Sequence, residues 1–251
     1  MGDREALQQA IVEFIGPFAL VFLGAGSIIM TGGENLVAIA LAHGLAIGVM
    51  IAAAGHISGG VFNPAVTVGL AIAGKLTLPR TIIYIGSQLL GGVAAALALV
   101  VVFRSDMIDA VNLGTPVLGD ISQGAAILAE AILTFFLMFV IFGAAVDQRS
   151  DKSIAPLAIG LTITADIFAM GALTGAAMNP ARHFGPALVE GLWSDWFVYW
   201  IGPIAGAAVA SVIYNWVLLD ERVPGAAPGD EEGAQLPDQE QPAPRRRRRR
   251  R

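Results

Sequence analysis

The residues of this 251-residue chain best suited to chemistry are two Asn-Pro-Ala triplets, Asn63-Pro64-Ala65 and Asn179-Pro180-Ala181. Asparagine followed by proline favours a helix start, because the side-chain oxygen caps first-turn amides and proline fits the first helical position. With its oxygen engaged, the side-chain amide keeps an NH2 group that can donate hydrogen bonds. The apolar segments that begin here, about 63–74 and 179–191, are too short to cross a bilayer. They predict two re-entrant half-helices.

Two half-helices of opposite orientation would bring Asn63 and Asn179 together near the middle of a membrane, with the positive ends of both helix dipoles directed at a lumen. A water molecule there would accept hydrogen bonds from both asparagines, so its own hydrogens would point at its neighbours and interrupt a proton wire. The same dipoles would repel cations. One triplet alone would suit an ordinary capped turn, whereas two copies favour a pore for water that excludes protons.

The elements that must position these triplets are membrane helices. The chain is 55% hydrophobic and 14% charged, with a mean hydropathy of +0.69, which is too apolar for a soluble domain of this length. Stretches near the ~20 residues that a spanning helix needs cover about 8–30, 36–55, 80–103, 122–145, 154–172 and 195–219. We predict an all-α membrane protein with six transmembrane helices and two re-entrant half-helices.

The chain also contains an internal repeat with its landmarks in register. Each half carries a glutamate, an asparagine and a glycine, namely Glu13, Asn63 and Gly86, and Glu130, Asn179 and Gly202. The separations are 50 and 23 residues in the first half and 49 and 23 in the second. Because each half holds three crossings, an odd number, the second copy must be inserted upside down, as an inverted-topology repeat.

The repeat divides the chain into three parts. Residues 1–119 form the first repeat, with the half-helix that starts at Asn63, and residues 120–220 form the second, inverted repeat, with the half-helix that starts at Asn179. Residues 221–251 are predicted to be a disordered cytoplasmic tail, because their proline, glycine, glutamine and acidic residues cannot bury a core.

The basic residues predict the orientation. If the N-terminus is cytoplasmic, most lysines and arginines fall on the cytoplasmic side, and only Arg104 and Arg182 lie outside. Six crossings then place both termini in the cytoplasm, and we expect the cell (plasma) membrane. The tail ends in Arg245 to Arg251, which would suit anionic lipid or nucleic acid but is more simply an unstructured or added end. We expect the lipid bilayer, and no nucleic acid, as a partner.

Two glutamates, Glu13 and Glu130, lie within apolar spans, where an unpaired charge costs several kcal/mol. Each must therefore be satisfied by protein groups or water. Their equivalence in the repeat favours a role in holding the re-entrant loops through buried hydrogen bonds, and the alternative is a proton relay.

The motifs resemble those of the aquaporin (major intrinsic protein) family. The segments that carry the resemblance are Gly55-His-Ile-Ser-Gly-Gly, Asn63-Pro-Ala-Val-Thr-Val-Gly and Gly175-Ala-Ala-Met-Asn-Pro-Ala-Arg-His-Phe-Gly-Pro-Ala, and it covers about residues 8–219. The resemblance implies a homotetramer in which each protomer has its own pore. It also implies a selectivity filter outward of the asparagines, formed here by His43, Ile167, Ala176 and Arg182.

This filter is similar to that of plant tonoplast intrinsic proteins, although an archaeal or bacterial homologue with a convergent filter would fit equally. Ile167 stands where water-selective relatives have histidine, and Ala176 leaves room beside it, so we expect a filter wide enough for ammonia, urea and hydrogen peroxide. His43 and Arg182 should still obstruct glycerol, and Arg182 should oppose cations. Asp166 is an uncommon acid here, which could bond to the backbone or to His43, or face a water-filled vestibule.

Other functions fit the sequence less well. Val61 replaces a lumen-facing histidine of many relatives, while His56 and His183 are predicted to pack within loops. A junctional or adhesive protein would need long outer loops that bind a partner surface, and the outer loops here are short or acidic. A coupled transporter would need more ionisable residues in its path. We expect neither an enzyme nor a cofactor or metal site, and the chain has no cysteine.

Overall fold

The computed structural model describes residues 3–219, so the predicted tail over 221–251 lies outside the described residues. Within them the chain is helical and contains no strand. The helices are α1 (Asp3–Thr31), α2 (Leu36–Ser58), α3 (Pro64–Ile72), α4 (Leu78–Val102), α5 (Ser105–Asp109), α6 (Gln123–Ile141), α7 (Ala155–Thr174), α8 (Pro180–Glu190) and α9 (Val198–Ile213). Six of these are long and apolar enough to cross a membrane, namely α1, α2, α4, α6, α7 and α9. The predicted fold class is therefore confirmed.

Some helices extend beyond the ends that hydropathy predicts, because polar residues continue the helix. Helix α1 begins at Asp3 rather than near residue 8, because its first residues are good helix formers and Asp3 and Glu5 favour the positive end of the helix dipole. Helices α6 and α9 each continue into one π-helical turn, Phe142–Val146 and Tyr214–Leu218.

The half-helices α3 and α8 begin immediately after the two asparagines. The Oδ1 atom of Asn63 accepts from the Ala65 amide at 2.9 Å, and that of Asn179 accepts from the Ala181 amide at 2.9 Å. Both asparagines have extended backbone, and each is followed by a proline that has no N–H to leave unpaired. Local sequence therefore suffices to start both half-helices within the protein.

The two halves of the fold exchange their half-helices. Helix α1 packs on α2 and α4, α6 packs on α7 and α9, and the α2–α7 contact joins the two groups. Helix α3, from the first half, lies on α9, whereas α8, from the second half, lies on α4. Each half-helix therefore depends on a span that is distant in sequence.

Two glycines allow the closest helix contacts beside the buried glutamates. A Cβ atom on Gly91 would lie 2.1 Å from the Phe14 carbonyl oxygen, and one on Gly206 would lie 2.0 Å from that of Ala131. No side chain fits at such distances. Helix α4 can therefore approach α1 at the residue after Glu13, and α9 can approach α6 at the residue after Glu130. Such close packing through small residues stabilises helix pairs in lipid, where no hydrophobic effect drives helices together.

Candidate functional site

The tips of α3 and α8 meet through the side chains of the two asparagines. The Asn63 Nδ2 atom donates to the Met178 carbonyl at 2.9 Å, and the Asn179 Nδ2 atom donates to the Phe62 carbonyl at 2.9 Å. The structure thus brings together the two triplets, whose proline and alanine residues are buried in the first helical turns. The expected free NH2 group is half used, because one of its two hydrogens binds the opposite loop.

The residue before each asparagine has a left-handed backbone conformation. Phe62 and Met178 both have φ of 52°, which is uncommon for residues other than glycine. Such a conformation costs of order 1–3 kcal/mol and persists only where its surroundings enforce it. It turns the carbonyl of each residue toward the asparagine of the other half.

The buried glutamates hold these two turns. Glu13 accepts hydrogen bonds from the amides of Val61, at 3.0 Å, and Phe62, at 2.8 Å, and from the Ser58 hydroxyl and the Gln88 side chain. The carboxylate is fully buried. Four hydrogen bonds offset the cost of placing a charge at this depth.

Glu130 occupies the equivalent place in the second half. It is also fully buried, and it accepts from the amides of Ala177, at 2.9 Å, and Met178, at 2.7 Å, and from the Thr174 hydroxyl at 2.7 Å. Both glutamates therefore contact the loops that they were predicted to hold.

The role of Gln88, which donates to Glu13, was not predicted from the sequence, although a glutamine in the middle of an apolar span was a usable signal.

The four predicted filter residues line one cavity together with both asparagines. This central cavity has a volume of about 310 Å³, and its lining also includes Lys75 and Val146. Apolar side chains such as Leu20, Ile163 and Val61 form most of its remaining wall. Polar groups are thus placed at a few points along an otherwise apolar path.

His43 and Arg182 form a direct hydrogen bond across this cavity wall. Arg182 donates from Nε to His43 Nε2 at 3.0 Å, and His43 Nδ1 lies 2.8 Å from the Ile39 carbonyl oxygen. Because arginine only donates and a carbonyl only accepts, the proton of the imidazole must be on Nδ1. His43 is therefore a neutral ring that draws the guanidinium toward α2.

The remaining predicted residues lie apart from the cavity lining. Asp166 is buried and has its Oδ2 atom without a hydrogen-bond partner within residues 3–219. Of the three roles left open for Asp166, the bond to His43 is excluded, because both ring nitrogens of His43 are already used. His183 is buried against the ring of Tyr199, with centroids 4.4 Å apart, as expected for a packing residue. His56 is exposed at the end of α2, so its predicted packing role is wrong.

A small polar cluster lies beyond the end of α6. Arg149 bonds to the Asp147 carboxylate and donates to the Leu218 carbonyl at 2.8 Å, and the Tyr214 hydroxyl donates to Asp147 at 3.3 Å. The hydrogen bonds from Arg149 lower the pKa of Asp147 from 3.8 to about 2. The cluster joins the loop after α6 to the end of α9.

Six apolar helices that surround one cavity are the arrangement of a membrane channel. The sequence profile of the family described as "Major intrinsic protein" matches residues 2–214. "Aquaporin TIP4-4" of Zea mays is 41% identical over 230 residues, 86% of this chain and 89% of that protein, and "Probable aquaporin TIP1-2" of Oryza sativa subsp. japonica is 39% identical over 233 residues, 88% and 91%. The chain superposes on the aquaglyceroporin from Plasmodium falciparum with a TM-score of 0.76, at 26% identity and covering 84% of this chain and 96% of that one.

The chain therefore belongs to the major intrinsic protein family. It is a passive water channel of the aquaporin type, and members of this family are channels rather than enzymes. The resemblance to tonoplast intrinsic proteins, predicted from the filter residues, is confirmed by the TIP-type relatives.

Proposed function

We propose that this channel passes ammonia, urea and hydrogen peroxide together with water, and that it excludes protons and ions. The observation that carries the proposal is the hydrogen bond between Arg182 and His43, at 3.0 Å. It joins the two bulky polar members of the proposed filter to each other. The other two members, Ile167 and Ala176, present an apolar side chain and a methyl group to the same cavity.

The arrangement favours the passage of small neutral solutes in addition to water. A solute that enters a narrow pore exchanges its hydration for the donors and acceptors of the lining, so pore width and polar pattern decide together what passes. Here the His43 ring spends both nitrogens on protein partners, while Arg182 has Nη1 buried without a partner in the described part of the chain. The guanidinium then offers a donor to a carbonyl oxygen or to ammonia, beside an apolar wall.

Proton and cation exclusion is proposed to rest on the asparagine pair. Each asparagine keeps one amide hydrogen beyond the bond to the opposite loop, and both line the central cavity. The N-terminal ends of α3 and α8 lie at the same level, so two helix dipoles oppose a cation there. Arg182 adds a permanent positive charge.

We further propose a homotetramer with both termini in the cytoplasm, as the family resemblance and the distribution of basic residues suggest. The charge pattern is compatible with the plasma membrane, whereas the similarity to TIP-type relatives favours a tonoplast location. Light scattering of the detergent-solubilised protein would measure the oligomer, and a fluorescent fusion would show the membrane.

The test is stopped-flow light scattering on proteoliposomes with water, urea, ammonia and glycerol gradients. We expect water, urea and ammonia flux above empty vesicles, weak glycerol flux and a retained pH gradient. The double variant His43→Phe with Ile167→His should keep water flux and lose urea and ammonia flux, while Ile167→Leu, of equal volume, should change little. Water flux alone in the wild type, with no effect of the double variant, would contradict the broad filter.

A further inference from the structure

The imidazole of His43 lies directly against the backbone of α1 at Gly24. A Cβ atom on Gly24 would lie 2.4 Å from Nε2, 2.5 Å from Cδ2 and 2.7 Å from Cε1 of this ring. Real side-chain contacts do not become this short. The ring therefore occupies space that any other residue at position 24 would fill.

The ring has little freedom to give way. Its Nδ1 atom is bound to the Ile39 carbonyl at 2.8 Å, and Nε2, the atom nearest Gly24, accepts from Arg182 at 3.0 Å. His43 is buried and lines the central cavity. With α1 on one side and the cavity on another, a ring displaced from α1 moves into the cavity and away from the geometry that holds Arg182.

We propose that Gly24 is a specificity-determining residue that acts by positioning His43. The absence of a side chain on α1 sets how far the imidazole withdraws from the lumen, and so sets the width of the filter and the position of the Arg182 guanidinium. Gly24 itself does not contact the solute. This inference rests on the proposed role of His43 in the filter.

A neighbouring glycine on the same helix provides a matched control. Both Gly24 and Gly26 are buried within α1. A Cβ atom on Gly26 would meet only Leu99 Cδ2, at 3.4 Å, and Phe103 Cε2, at 3.9 Å, which are ordinary contacts with side-chain ends. Gly26→Ala therefore adds the same methyl group to α1 without displacing a filter residue.

The experiment compares four variants in proteoliposomes: Gly24→Ala, Gly26→Ala, His43→Ala and the double variant Gly24→Ala with His43→Ala. The measured quantity is the ratio of urea to water permeability. We expect Gly24→Ala to lower this ratio about tenfold, the factor that corresponds to 1.4 kcal/mol in relative barrier height. Gly26→Ala should leave it unchanged. His43→Ala should raise it, and the double variant should match His43→Ala, because the added methyl group then has no ring to displace.

The outcomes separate this inference from the proposed filter. If His43→Ala leaves the ratio unchanged, the filter assignment is wrong. If His43→Ala changes the ratio but a folded Gly24→Ala does not, the filter assignment survives and the role of Gly24 is overturned. If Gly24→Ala alone fails to fold, the double variant decides: recovery of folding with the ratio of His43→Ala supports the inference, and failure to recover overturns it.

Discussion

The two halves of this channel hold their half-helices in different ways. In the first half, Gln88 donates to Glu13 at 2.7 Å and bonds to Thr67, whose hydroxyl also donates to the Asn63 carbonyl at 2.8 Å. Hydrogen bonds thus connect the glutamate to the first turn of α3. In the second half, the register of the repeat places Ile204 where the first half has Gln88, and His183 where it has Thr67.

The second half replaces this polar connection with aromatic packing. His183 stacks on Tyr199 and lies edge-on to Trp193, and both of its ring nitrogens lack a hydrogen-bond partner over residues 3–219. Glu130 accepts three hydrogen bonds where Glu13 accepts four. Both loops are thus held by a glutamate, but only in the first half do side-chain hydrogen bonds continue from the glutamate to the half-helix itself. In the second half, the corresponding place is filled by aromatic packing, next to Arg182.

The largest effect is expected from removing a loop-holding carboxylate. Glu130→Ala leaves the amides of Ala177 and Met178 unsatisfied, at about 1–3 kcal/mol each, and it frees the loop that carries Ala176. We expect loss of selective conduction and a lower melting temperature in detergent. Glu13→Ala should destabilise similarly but disturb selectivity less, because its loop carries no filter residue. Glu34→Ala, at an exposed glutamate, should behave like wild type, and equal behaviour of Glu130→Ala would refute the loop-holding role.

The next largest effect is expected when Arg182 of the filter is replaced by the residue at the corresponding position of the first half. The first half has Val66 at the position of Arg182, three residues after its asparagine. Arg182→Val removes a positive charge and the partner of His43, so we expect permeability to urea and glycerol to rise by roughly tenfold and cation exclusion to weaken. Solute uptake and ion leak in proteoliposomes measure both. Unchanged selectivity in a folded Arg182→Val protein would show that Arg182 does not line the constriction.

The hydrogen bond from Gln88 to Glu13 can be removed by giving position 88 the isoleucine that the second half has at the corresponding position, Ile204. Gln88→Ile takes one hydrogen bond from a buried carboxylate, so we expect a loss of about 1.5–3 kcal/mol in unfolding free energy with water conduction retained. Thermal denaturation in detergent would measure it. Ile204→Leu, which keeps volume and apolarity, should cost less. An equal loss in the two variants would mean that the network of the first half adds nothing beyond packing.

The smallest expected effect concerns the polar cluster of Asp147, Arg149 and Tyr214 beyond the end of α6. Because Arg149 lowers the pKa of Asp147 from 3.8 to about 2, the ionised carboxylate stabilises the folded state above pH 3.8, and this contribution is lost as the pH falls toward 2. Asp147→Asn should therefore melt lower than wild type at pH 5, and the difference should shrink between pH 4 and pH 2. A difference that is independent of pH would show that the charge of Asp147 is not involved.

Much of this architecture was predictable, because its signals are local or repeated. Span length, the Asn-Pro start of a half-helix and the spacing of Glu13 from Asn63 each reflect a requirement of bilayer thickness or backbone hydrogen bonding. Family resemblance selected the four filter positions, and all four line one cavity.

The rest depends on contacts between residues distant in sequence. The bond from Arg182 to His43 joins residues 139 positions apart. No periodicity or motif predicts the contact of Gly24 with the His43 ring, because one glycine in a glycine-rich span is not distinguished from the others by its sequence pattern. The exposure of His56 follows from which face of α2 meets its neighbours, and hydropathy alone does not give that face.

The exchange of half-helices between the halves has a consequence for biosynthesis. The surface on which α3 rests belongs to α9, and about 140 residues separate the ends of these helices. At about 5–20 residues per second, ribosomes take roughly 7 to 28 s to make that length. Met178, whose carbonyl accepts from Asn63, lies 106 residues after the end of α3 (178 minus 72). For roughly 5 to 21 s of this interval the side-chain amide of Asn63 therefore lacks that acceptor as well. The packing of α3 is therefore completed only after the last span has been made.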